Sequence, residues 1–165
     1  MEEREIREQL KEWINNFVGK PNKLLKNWPP CPFARQALFS NLVEIFFNDN
    51  DRDIDSFITS NLYRLSTLEV LIFCIDPKKI DPVRLSEKID ILNQLLKKYD
   101  YVLLEDHPDQ PEILNGVSMN FGKCALVLAQ KLSKLNDASE ELRKRGYYDH
   151  WPKENLDYVV NWRNK

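Results

Sequence analysis

The stretch that decides the fold spans residues 99–109 and reads Tyr99-Asp100-Tyr101-Val102-Leu103-Leu104-Glu105-Asp106-His107-Pro108-Asp109. Its apolar residues with β-forming character run directly into polar, ionisable and turn-forming ones. This pattern is typical of a short buried strand that ends at the edge of a sheet. We therefore predict a strand over residues 101–105 that delivers Asp106 and His107 to that edge.

Two earlier segments also have strand character. Residues 68–75 are nearly all apolar, as expected for an inner strand covered on both faces, and Asp76-Pro77 ends this run. Residues 34–47 fit a helix, but their second half, from Leu42 to Phe47, also fits a strand. We favour a strand that ends at the polar residues 48–51, which are predicted to form a turn and helix cap.

Apolar residues at helical spacing predict helices over residues 3–18, 52–64 and 82–98. The alternation of strands and helices indicates right-handed βαβ units. The prediction is one α/β domain over residues 1–165, with a small, mostly parallel central sheet of three to four strands and helices packed around it. Ligands bind such sheets beyond the carboxyl ends of the strands, where Asp76, Asp106 and His107 are expected to lie.

The last third of the chain is predicted to be helical. Ser118 is interpreted as the cap of a helix whose apolar positions are Phe121, Ala125, Leu128, Leu132 and Leu135. A further helix over residues 138–145 ends at Gly146, and a short helix lies near the C-terminus.

Composition narrows the class of protein. The chain has 165 residues, 42% hydrophobic and 30% charged, with a net charge of −2, which is typical of a soluble globular protein and gives no reason to expect nucleic-acid binding. No apolar run is long enough for a bilayer and no signal peptide is recognised, so a cytoplasmic location is expected.

Three widely spaced cysteines predict free thiols, with Cys74 and Cys124 in the core. Four glycines without a phosphate-binding pattern disfavour nucleotide chemistry.

Cys31 lies in a proline-rich loop, residues 20–33, that ends Trp28-Pro29-Pro30-Cys31-Pro32-Phe33. Prolines restrict the backbone, so this loop is suited to hold one side chain still. Cys31 is a candidate nucleophile or redox thiol, with Arg35 as a contact for an anion. The alternative is that Cys31 is a packed small hydrophobe.

His107 is a candidate general base, with Asp106 as the carboxylate that orients it. The alternative is a loop histidine satisfied by hydrogen bonds. A metal site built from Cys31, His107, Asp106 and Asp109 is disfavoured, because the chain has only two histidines and no tight ligand spacing. No metal site is predicted, and Asp109 is instead a candidate ligand contact.

The segment Cys31-Pro32-Phe33-Ala34 resembles the Leu-Cys-Pro-Phe-Ala box of a family of uncharacterised bacterial proteins. The resemblance extends to the order of later elements and to a His-Pro motif, here His107-Pro108. It implies that the Asn115 to Ser118 segment opens a helix. We predict that Asn115 and Ser118 are also ligand contacts. This chain has Pro30 where the family has leucine, and the family brings no established activity.

The hypothesis drawn from these residues is a small-molecule enzyme whose pocket joins Cys31 to the strand end at Asp106 and His107. The alternative is a non-catalytic binding or interaction domain that uses an aromatic segment near the C-terminus, residues 147–151, with Cys31 merely packed. That segment is also interpreted as a strap over the edge of the core. The sequence leaves the cofactor, the substrate and the oligomeric state open.

Overall fold

A four-stranded mixed sheet forms the centre of the fold. The computed structural model describes residues 2–48 and 52–164. Its strands are β1 (Val43–Phe47), β2 (Val70–Ile75), β3 (Tyr101–Asp106), β4 (Ile113–Leu114), β5 (Val117–Ser118) and β6 (Ala125–Lys131). The main sheet has the order β1-β2-β6-β3, and β4 and β5 form a separate hairpin. The predicted α/β class and strand number are confirmed.

The prediction of a mostly parallel sheet is wrong. β1 pairs with β2 in parallel, but β6 lies between β2 and β3 and is antiparallel to both. Strands β1, β2 and β3 run in one direction, as the βαβ pattern predicted, and β6 separates the last two.

The strand β6 occupies residues that were predicted to be helical. Ala125 through Ala129 form an unbroken apolar run, and the side chains of Leu126 and Val127 lie in clusters on opposite faces of the sheet. An inner strand covered on both faces requires such a run, whereas alanine and leucine also favour a helix. The predicted cap Ser118 is also wrong, because this residue pairs with Ile113 in the β4–β5 hairpin.

Helices cover both faces of the sheet. They are α1 (Glu3–Trp13), α2 (Ala34–Phe39), α3 (Ile54–Thr59), α4 (Pro82–Leu96), α5 (Leu132–Lys144) and α6 (Lys153–Val159). A π-helical turn, Ile14–Val18, extends α1 to the predicted end of the first helix. Leu85 and Ile89 of α4 pack on one face with α3, while Leu10 of α1 packs on the other. No helix among the described residues has the length and apolar character needed to cross a membrane.

The C-terminal aromatic residues close one end of the core. Tyr147 and Tyr148 are buried, and the Tyr147 hydroxyl donates to the carbonyl oxygens of Pro29 and Pro30. Trp28 contacts the Tyr147 ring edge-on at a centroid distance of 5.3 Å. Residues 147–151 therefore act as a strap that holds the proline-rich loop. This agrees with one of the two interpretations of the segment.

Two further predictions concern cysteines and a turn. Cys74 and Cys124 are fully buried free thiols, as predicted. Residues 49–51 of the predicted turn lie outside the described part of the chain. Helix α3 is capped by Asp53, whose carboxylate accepts from the backbone N–H of Ser56 at 3.1 Å.

Candidate functional site

A cleft of about 440 Å³ opens at the carboxyl ends of the parallel strands β1 and β2. We call it the cationic cleft, and its lining comprises Asn48, Arg52, Asp53, Ile54, Ile75, Lys79, Ile80, Arg84 and Lys88. Its position agrees with the rule that ligands bind beyond the carboxyl ends of parallel strands.

Positive charge dominates the part of this cleft that the described residues form. Four of its lining residues are cationic and one, Asp53, is acidic. Lys88 forms an ion pair with Asp55 at 2.9 Å. Arg52 and Arg84 form no ion pair with any residue in 2–48 or 52–164. Among the described residues, no carboxylate therefore neutralises these two guanidinium groups, whose chemistry suits an anion.

Short-range hydrogen bonds fix the loop between β2 and α4, which contributes to the lining of the cleft. The Asp76 side chain accepts from the backbone N–H of Lys78 at 3.0 Å, which closes a turn after β2. Asp81 caps α4 by accepting from the N–H of Arg84 at 3.0 Å, and Pro82 occupies the first turn. These contacts fix the backbone of the loop that carries Lys79 and Ile80 and of the first turn of α4 at Arg84.

The ring of His107 contacts this loop at Ile80. The residue is 3% exposed, its Nε2 lies 2.9 Å from the carbonyl oxygen of Ile80, and its Nδ1 accepts from the N–H of Asp109 at 3.1 Å. Because Nδ1 accepts, the proton resides on Nε2 and is donated to Ile80. Both ring nitrogens are thus used inside the protein, and His107 positions the wall of the cleft.

Asp106 fastens the next segment of the chain. Its Oδ1 accepts from the Asn120 side chain at 2.7 Å and its Oδ2 from the Phe121 N–H at 3.0 Å. Asn120 also donates to the carbonyl oxygen of His107 at 2.7 Å. Burial raises the pKa of Asp106, and the bonds from Phe121 and Asn120 oppose that rise. This carboxylate anchors residues 120–121 and does not contact the imidazole nitrogens.

Cys31 lies in a different environment. Its backbone N–H donates to the carbonyl oxygen of Val18 at 2.8 Å, and Tyr147 is a neighbour of its thiol. Burial raises the pKa of the Cys31 thiol, and the N–H groups of Phe33 and Ala34 only partly oppose this. The thiol, rather than the thiolate, is the favoured form near neutral pH.

The structure brings three of the predicted site residues together and leaves four apart. Asp106, His107 and Asp109 form one hydrogen-bonded group, with the Asp109 carboxylate 4.0 Å from Nδ1. No hydrogen bond joins Cys31 to His107, whose ring nitrogens bind Ile80 and Asp109 instead. The catalytic roles of Cys31, His107 and Asp106 therefore stay a prediction, which no hydrogen bond between Cys31 and His107 supports.

The remaining predicted ligand contacts bind other parts of the protein. The Arg35 Nε donates to the Asn15 side chain at 2.8 Å, and the Asn115 side chain donates to the carbonyl oxygen of His150 at 3.3 Å. Ser118 is exposed on β5. None of the three lines the cationic cleft.

Sequence reasoning placed a pocket at the carboxyl ends of the strands but missed its basic residues. The available signal was the set of cations that follow the first two strands, at positions 52, 79, 84 and 88. Within the described ranges, no group of three or more His, Cys, Asp or Glu side chains is placed to hold a metal ion.

These features define an α/β domain with a basic cleft at the ends of two parallel strands. No family model, curated protein or solved structure matches the chain. The resemblance based on Cys31-Pro32-Phe33-Ala34 and His107-Pro108 stays a prediction, and a functional assignment depends on the cleft.

Proposed function

We propose that this protein binds a small phosphorylated molecule in the cationic cleft. The observation that carries the proposal is the pair Arg52 and Arg84, which line one cavity without a counter-ion among the described residues. Guanidinium groups bind phosphate oxygens through paired, charge-assisted hydrogen bonds. The cavity volume of about 440 Å³ lies in the usual range for small-molecule sites.

The rest of the lining suits the uncharged part of such a ligand. Ile54, Ile75 and Ile80 provide apolar surface next to the basic side chains. A ligand with a phosphoryl group and a partly apolar body therefore matches both halves of the cleft. His107 and Asp106 act in this proposal as positioning residues.

Binding is favoured over thiol catalysis for two reasons. The raised pKa of Cys31 makes its sulfur a weak nucleophile at neutral pH. The nitrogens of His107 are bonded to Ile80 and Asp109, so they are not directed at the thiol. The proposal assigns no role in binding to Cys31, Arg35, Asn115 or Ser118.

Isothermal titration calorimetry of the full chain with pyrophosphate tests this function. We expect binding that weakens as NaCl is added, because salt screens the charges on the open cleft. Arg52→Gln and Arg84→Gln should each weaken binding about tenfold, the effect of losing one charge-assisted hydrogen bond of about 1.5 kcal/mol.

Arg4→Gln is the matched control, because Arg4 is exposed on α1 and does not line the cleft. Its affinity should equal that of the wild type. The proposal is wrong if millimolar pyrophosphate gives no binding heat, or if Arg52→Gln and Arg84→Gln bind it as tightly as Arg4→Gln does.

A further inference from the structure

A second cavity, of about 250 Å³, lies at the amino end of β3. It is far along the strand direction from the cationic cleft, because β2 and β3 are parallel and the cleft follows the carboxyl end of β2. Its lining includes Asp90, Lys97, Tyr101, Leu132, Trp162 and Arg163.

Arg163 is the unusual member of this lining. The residue is 3% exposed, and its Nη2 donates to the Ser139 hydroxyl at 2.9 Å. Its Nε and Nη1 are shielded from solvent and have no hydrogen-bond partner. Across residues 2–48 and 52–164 no carboxylate forms an ion pair with this guanidinium, including Asp90 in the same cavity.

A buried cation without a counter-charge is rare in proteins, because leaving water costs the charged form far more than one hydrogen bond returns. Burial accordingly lowers the pKa of Arg163. The Tyr148 hydroxyl also interacts with the guanidinium and opposes the lowering of its pKa. Tyr148 and Ser139, which are joined by a 3.2 Å hydrogen bond, are both neutral and supply no full counter-charge. Among residues 2–48 and 52–164, no group accepts a hydrogen bond from Nε or Nη1.

The other walls indicate what kind of anion fits. Val102, Leu132 and the rings of Tyr101 and Trp162 offer apolar surface. Asp90 and Lys97 add one charge of each sign, so with Arg163 the lining carries one net positive charge. A monoanion balances this charge, whereas a dianion such as a phosphate monoester leaves an excess of negative charge. The size of the cavity suits a compact molecule.

We propose that this cavity binds a monocarboxylate with an apolar or aromatic body, and that Arg163 receives the carboxylate. The apolar body packs between Tyr101, Leu132 and Trp162. Because Nε and Nη1 are closed to solvent, a lining side chain must move before the carboxylate can reach them. This site is independent of the phosphate function assigned to the cationic cleft.

The test uses 3-phenylpropionate as the probe and its neutral amide, 3-phenylpropionamide, as the uncharged counterpart. Calorimetry with the full chain should detect the acid and not the amide. Arg163→Met should weaken binding of the acid at least about tenfold, whereas Asp90→Asn should strengthen it about two- to fivefold at low salt. Arg145→Met, at the exposed end of α5, is the matched control and should leave affinity unchanged.

Thermal unfolding keeps the test decisive if Arg163→Met alters the fold. Without probe, this variant should melt at or above the wild-type temperature, because it removes an uncompensated buried charge. The acid should raise the melting temperature of the wild type only. The proposal is overturned if the acid fails to bind the wild type, binds Arg163→Met equally well, or loses its binding in Arg84→Gln. A lower melting temperature of Arg163→Met without probe, together with undiminished binding, would identify Arg163 as purely structural.

Discussion

The imidazole of His107 links the end of β3 to the cationic cleft, because its Nε2 lies 2.9 Å from the carbonyl oxygen of Ile80. Ile80 lines the cleft, and the ring that holds it is buried. His107, which was predicted to be a general base, therefore serves as a structural brace that holds a neighbouring loop in place.

Replacing His107 tests this role. His107→Ala removes two hydrogen bonds and leaves a cavity, so the free energy of unfolding should fall by about 2–4 kcal/mol in urea denaturation. Pyrophosphate binding should weaken as the wall of the cleft loosens. Asp109→Ala is the control, because its side chain is 78% exposed and its backbone N–H still reaches Nδ1. An unchanged stability of His107→Ala would contradict the role of a brace.

Thiol labelling tests the environment of Cys31. Burial raises the pKa of this thiol, so iodoacetamide should react slowly at pH 7 and faster as the pH rises above the ordinary thiol range. Cys31→Ser should remove the first labelled site, because Cys74 and Cys124 are fully buried. Rapid labelling at pH 7 that slows in His107→Ala would instead support the catalytic pair predicted from the sequence.

Tyr147→Phe tests the aromatic strap. The hydroxyl donates to the carbonyl oxygens of Pro29 and Pro30, and its loss leaves them without that donor. We expect about 1–2 kcal/mol lower free energy of unfolding. We also expect faster labelling of Cys31, because the proline-rich loop is less firmly held. Tyr63→Phe, on an exposed ring, should change neither quantity.

The Glu112 carboxyl group is expected to make the stability of the protein depend on pH. Burial, with added repulsion from Asp106 and Glu105, raises its pKa in the folded protein above that of the unfolded chain. The folded state therefore binds more protons between those two values, and its stability falls as the pH rises through that window. Glu112→Gln keeps an acceptor for the Asn155 amide, which donates to Glu112 at 3.2 Å.

The variant should accordingly be more stable than the wild type at pH 8, and the difference should disappear below the unfolded-state pKa of about 4.3. Urea unfolding at pH 4 and pH 8 measures this difference. Glu12→Gln, at an exposed position on α1, should show no such change with pH. If Glu112→Gln is less stable than the wild type at pH 8, the ionised Glu112 carboxylate stabilises the folded state, and this prediction is wrong.

Local pattern was sufficient for much of the fold. The apolar run at 68–75 became β2 (Val70–Ile75), the predicted strand at 101–105 became β3, and the helix over 82–98 became α4. In each case the apolar spacing and the turn residues that follow it act within one element. The α/β class follows from the same local information.

Tertiary structure decided the position of β6 and the composition of both cavities. Residues 125–129 satisfy the requirements of a helix and of an inner strand, and only the space between β2 and β3 selects the strand. Cys31 and His107 each look chemically competent in the sequence, yet their hydrogen-bond partners come from Val18, Ile80 and Asp109. The convergence of Arg52 with Arg84, and the burial of Arg163 with two unpartnered nitrogens, likewise involve residues from separate segments. The sequence determined the elements because their signals are local, whereas contacts and charge pairing depend on how distant segments meet in the folded chain.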